Sequence, residues 1–135
     1  LVHQWRNVID YTEKDVWEVL KRHQIASHPC YTCGWNRCSC MMCIFSLPQH
    51  WAGIRELFPE EYEAVRRDEV RLGFTLDNKR TLDEYVSNAE SCVVRTDRKA
   101  LHQLISGEFT VGDIYQTKEW SYPAGAFRGS EGGPC

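Results

Sequence analysis

Long apolar runs are missing from this sequence: the longest, Met41–Phe45, is far short of the roughly 20 residues that a membrane-spanning helix needs. No basic stretch followed by an apolar segment opens the chain, so no secretory leader is read there. A surplus of positive charge is missing too. Sixteen Lys and Arg stand against nineteen Asp and Glu, a net charge of −3, so charge gives no reason to expect a nucleic-acid or anionic-membrane partner. We find no internal repeat and no apolar–polar alternation strong enough to predict a strand. The chain opens on Leu1 rather than Met, from which we expect a piece of a longer protein. At 135 residues it suits one domain.

Cysteine, by contrast, is abundant. Five of the seven cysteines fall between Cys30 and Cys43: Cys30, Cys33, Cys38, Cys40 and Cys43. Disulfide frameworks spread their cysteines so that bridges close sizeable loops, whereas these would close very small and awkward rings. The clustering therefore reads as metal ligation in a reducing, cytoplasmic setting.

The rest of the chain reads as helices. Thr12 and Asp15 suggest a capping arrangement, followed by Val16, Val19, Leu20 and His23 on one face with Trp17 beside them. His28–Pro29 is expected to stop any helix. Residues 28–45 show no regular period and read as an irregular loop organised by metal. Pro48 and Pro59 each open a predicted helix, the first through Trp51, Ile54 and Leu57, the second with Tyr62, Val65, Glu69 and Leu72 near one face and Gly73 as its stop. Thr81 and Glu84 fit a capping box ahead of Leu82, Tyr85 and Val86. Another helix runs from Asp97 to about Ser106, with Leu101, Leu104 and Ile105 inward and Gly107 ending it. The expected organisation is a mainly α domain over 1–120 and a Gly/Pro-rich tail over 121–135.

Cys30-Tyr-Thr-Cys33 and Cys40-Met-Met-Cys43 are two C-x-x-C pairs, with Cys38 between them. Two intervening residues let both sulfurs of a pair converge on one ion. Four thiolates complete a tetrahedral zinc site or the corners of a 4Fe–4S cluster, leaving Cys38 as the alternate ligand. Buried free thiols and a redox dithiol are the competing readings.

These segments resemble a known family. Asp10-Tyr-Thr-Glu-Lys-Asp-Val-Trp17, His28-Pro-Cys-Tyr31, Gly34-Trp35, Arg37 and Ser39-Cys-Met-Met-Cys-Ile-Phe45 are similar to the C-terminal part of the phosphoadenylyl-sulfate (PAPS) reductase family, over about residues 5–45. The resemblance implies an α/β adenine-nucleotide-binding protein with a parallel sheet and a phosphate loop of the S-G-G-K-D-S kind. Neither is in this sequence, so the nucleotide-binding half is expected upstream, with an adenylylated substrate or a thiol reductant as partner. It also implies a 4Fe–4S site in which Cys40 and Cys43 match the family's downstream C-x-x-C. The family's upstream cysteine pair has no counterpart here, and Cys30, Cys33 and Cys38 stand as its local replacement. The family's nucleophilic cysteine lies in E-C-G-L-H, whereas this chain ends Gly132-Gly133-Pro134-Cys135.

Two further residues are candidates for binding substrate. Arg37 sits among the thiols, where a guanidinium can grip a phosphate or sulfate or offset charge, and His28 can ligate metal or touch a nucleotide. Cys92 reads as a small buried residue, Arg95, Arg98 and Lys99 as a solvated face, and Trp5, Trp17, Trp35, Trp51 and Trp120 as core. Three functions follow: a PAPS-reductase-like fragment inactive alone, a zinc-stapled structural or interaction module, or a thiol redox switch.

Overall fold

The structure, a computed structural model, describes residues 5–116 and 118–128. It is mainly helical: α1 (Glu13–Arg22), α2 (Pro29–Thr32), α3 (Pro48–Leu57), α4 (Pro59–Leu72), α5 (Leu82–Val86), α6 (Arg98–Ser106) and a 3-10 turn at Val111–Ile114. The β pairing among the described residues is an isolated antiparallel bridge between Ile25 and Tyr115. None of these helices is long and apolar enough to cross a membrane.

The helix ends follow local chemistry. Thr12 caps α1 and Thr81 caps α5, each through a reciprocal box, with Asp15 and Glu84 respectively. Pro48 and Pro59 take the first helical positions of α3 and α4, where a missing N–H costs nothing. Gly73 and Gly107 end α4 and α6 in the left-handed conformation, as expected. His28–Pro29 departs from expectation, for it starts a helix instead of stopping one. The extended backbone that proline imposes on His28 (φ −56°, ψ 138°) is also the geometry of an N-cap, and Pro29 fits the first turn of α2. Residues 28–45 thus begin with one helical turn before becoming irregular.

The main core joins α3, α4 and α5. Trp51, Ala52, Ile54, Tyr62, Leu82 and Val86 are buried together, with Trp35, Phe58, Val65, Leu76, Tyr85 and Ala89 packed around them. Each fully buried Ile, Leu or Val contributes roughly 1.5–3 kcal/mol. Glu69 ties the loop to this core: its carboxylate accepts from the Leu76 N–H at 2.7 Å and the Leu82 N–H at 2.9 Å.

A second layer carries the cysteine loop. α2 packs on α6, and Trp17 of α1 stands edge-on to Tyr31 of α2 with ring centroids 5.3 Å apart. Residues 118–128, of which 121–128 were expected in a Gly/Pro-rich tail, run against this layer: the Gly125 N–H donates to the Tyr31 carbonyl at 2.8 Å, and the Trp120 indole to the Ile25 carbonyl at 2.9 Å. A Cβ on Gly125 would lie 1.8 Å from the Trp35 carbonyl oxygen, so the strap needs glycine there. Cys135 lies outside the described residues.

Some expected faces turn differently. Trp17, not Val16 or His23, is the buried residue of α1, its ring against Tyr31 and its indole donating to Glu13 at 2.9 Å. Leu72 and Ile105 are exposed at the last turns of α4 and α6, beyond the reach of a packing partner. Trp17, Trp51 and Trp120 are core and Trp35 is half-buried, but Trp5 is 89% exposed, since nothing in the described structure packs on it. Arg95, Arg98 and Lys99 are solvated as expected, with Arg95 paired to Glu56 and Lys99 to Asp113.

Candidate metal centre

α2 places its cysteines by being a helical turn with a histidine cap. His28 Nδ1 accepts from the Cys30 N–H at 3.2 Å, which fixes the imidazole above the first turn. The loop then returns so that Cys38 reaches the same spot. One ring nitrogen of His28 and the sulfurs of Cys30 and Cys38 all lie within 4.8 Å of one another, Cys30 buried and the other two exposed. The Cys38 N–H donates to the Tyr31 hydroxyl at 3.2 Å, holding the returning strand against α2. The Cys30 thiol points toward the Arg37 carbonyl at 3.9 Å.

A thiolate at Cys30 needs a cation beside it. Burial pushes the Cys30 thiol well above its ordinary range, and the neighbouring Cys38 sulfur adds to the shift. Burial also lowers His28, which favours the neutral imidazole that ligates. A zinc ion bound at about 2.3 Å to sulfur and about 2.0 Å to nitrogen sets tetrahedral donors roughly 3.5–3.8 Å apart, so an inward move of about 1 Å seats one. The His–Cys–Cys donor set therefore fits a metal such as zinc.

The other clustered cysteines are held elsewhere. Cys33 is fully buried, and burial followed by the Asp97 carboxylate raises its thiol. Its carbonyl accepts from the Val94 N–H at 2.9 Å. Nearby Cys92 is half-buried rather than fully so, its thiol pushed up to about 12 by desolvation. Cys43 is lowered by the Phe45 N–H, with Ser39 and Cys40 also hydrogen-bonded to its sulfur and the Arg37 charge helping.

Arg37 is half-buried, and its charge helps lower both the Cys43 thiol and the His50 imidazole. His50 is buried at 4% exposure beside Trp35, with ring centroids 6.4 Å apart, and desolvation followed by Arg37 pulls it down to about 4.

Sequence spacing pointed first to the two C-x-x-C pairs; the fold groups Cys30 with Cys38 and His28. The signal available was His28-Pro-Cys30, a cap residue two positions before a cysteine on the same turn. Tyr31, as the anchor of Cys38, carried no signal.

No family model and no solved structure matches this chain. It is similar to an uncharacterized 37.8 kDa protein in the gpa 5′ region of Escherichia phage 186, 36% identical over 64 residues, or 47% of this chain. The match spans only 19% of that curated relative's length.

Proposed function

We propose that this chain is the cysteine-rich, metal-holding portion of a PAPS-reductase-like protein, in which a zinc-class ion on His28, Cys30 and Cys38 fixes residues 28–45. The convergence of those three donors within 4.8 Å carries the reading. The His28-Pro-Cys-Tyr31 motif, part of the family resemblance, supplies two of the three donors and the anchoring tyrosine. Adenylyl-nucleotide chemistry then belongs to the whole protein, with the phosphate loop in a nucleotide-binding half outside these residues. Arg37, within the loop, is the residue here that would meet an anionic substrate.

Metal analysis with an anaerobic ultraviolet–visible spectrum tests the metal. About one zinc in colourless protein is expected. Iron, sulfide and a broad band near about 400 nm would replace zinc with a cluster; metal-free protein with reducible disulfides would replace both with a redox switch. Titration calorimetry tests the nucleotide half: without a glycine-rich loop at a helix N-terminus, adenosine phosphates should bind at about millimolar Kd or weaker. Micromolar binding would show that residues 1–135 form a nucleotide site unaided.

A further inference from the structure

The structure assigns three protein donors to this centre and leaves its fourth position to an exogenous ligand: we infer that His28, Cys30 and Cys38 form an open site, where water yields to a small thiolate. The inference rests on the metal reading above and deepens it. Among the described residues, no fourth His, Cys, Asp or Glu joins the group. Each nearby thiol is already placed. Cys33 is fully buried against the 92–94 segment, and Cys40 and Cys43 fall outside the group of converging donors. The exposure is one-sided as well: Cys30 forms the buried floor, while His28 and Cys38 stand at the solvent edge, so the unfilled corner opens outward.

Three protein donors and one open corner distinguish zinc sites that take substrate from sites with four protein ligands, which serve only structure. Sulfur suits the vacant corner because zinc is borderline-soft and two of its three donors are already thiolates. Exchange involves no redox change: the incoming thiol loses its proton to solvent, its sulfur binds the metal, and water leaves.

Cobalt(II) substitution of the whole chain, with protein in excess, reports the donor count through its absorption bands. The expected spectrum is that of two thiolates, unchanged in Cys40→Ser, Cys43→Ser and Cys135→Ser. Adding 2-mercaptoethanol should raise the sulfur-to-cobalt band about 1.5-fold, as two sulfur donors become three. A spectrum of three or four thiolates, loss of one in any of those variants, or no response to the thiol would overturn the open site while leaving a metal centre. Failure to bind cobalt or zinc at all would overturn the metal reading itself.

Discussion

The phenolic oxygen of Tyr31 accepts the backbone N–H of Cys38 at 3.2 Å, so a side chain on the turn that carries one thiol positions the backbone that carries the other. Tyr31 is itself held edge-on by Trp17 and through its carbonyl by Gly125. Tyr31→Phe keeps the ring and removes the acceptor. It should weaken zinc about 10-fold, as loss of an outer partner of a ligand does, while leaving helical content unchanged. Competition with a chromophoric chelator measures this.

Removing the metal should loosen residues 28–45 and leave the α3–α5 core intact, because its buried members, Trp51 to Val86, all lie outside that segment and only Trp35 of the segment packs on them. Binding free energy in such a site is folding free energy for the segment it organises. Hydrogen exchange with and without chelator checks it: protection should fall in 28–45 and persist around Trp51 and Ile54. Equal protection in both states would show that the loop stands without metal.

His50 makes the metal-free protein acid-sensitive. Its imidazole is near 6.5 when unfolded and about 4 in the fold. Above pH 6.5 both states are neutral and nothing changes. As pH falls toward 4 the unfolded chain takes up a proton that the folded chain refuses, so stability falls through that window by up to about 3 kcal/mol. Urea unfolding of metal-free protein between those limits should show this slope, and His50→Gln should flatten it.

Gly34 and Gly73 both have positive φ, at +106° and +67°, but different surroundings. A Cβ on Gly34 would lie 2.0 Å from the Cys92 carbonyl oxygen, whereas one on Gly73 meets nothing within 4 Å. Gly73→Ala should cost about 1 kcal/mol, the left-handed backbone alone. Gly34→Ala should cost about 3 kcal/mol or more, since backbone must also move, and should reduce zinc occupancy with it. Thermal melts of the pair separate strain from collision.

The helices were legible wherever a local signal was complete. Thr12 with Asp15, Thr81 with Glu84 and Asp97 before α6 each satisfy backbone N–H groups within one turn, and the two prolines remove an N–H that would lack a partner, so sequence neighbours decide them. His28–Pro29 carried the same kind of signal with two meanings, because an extended residue before proline serves both as a stop and as a cap. The grouping at the site was not legible. C-x-x-C spacing says which thiols can meet, but Cys38 is brought to Cys30 by a tyrosine hydroxyl seven positions away and Cys33 is turned aside by the 92–94 segment. The carboxylate that the Trp17 indole donates to, Glu13, likewise meets a strap more than a hundred residues later in the chain, with the Phe127 N–H donating to it at 2.7 Å.

That last contact also sets an order of events during synthesis. The α3–α5 core draws on neighbours between Trp51 and Val86 and can assemble as soon as they emerge. The donors of the metal centre leave the ribosome earlier, yet the strap that closes over Tyr31 and Glu13 arrives only with Gly125 and Phe127. Between the synthesis of Tyr31 and that of Gly125, 94 positions later, the cysteine loop is therefore made but not yet braced by the strap.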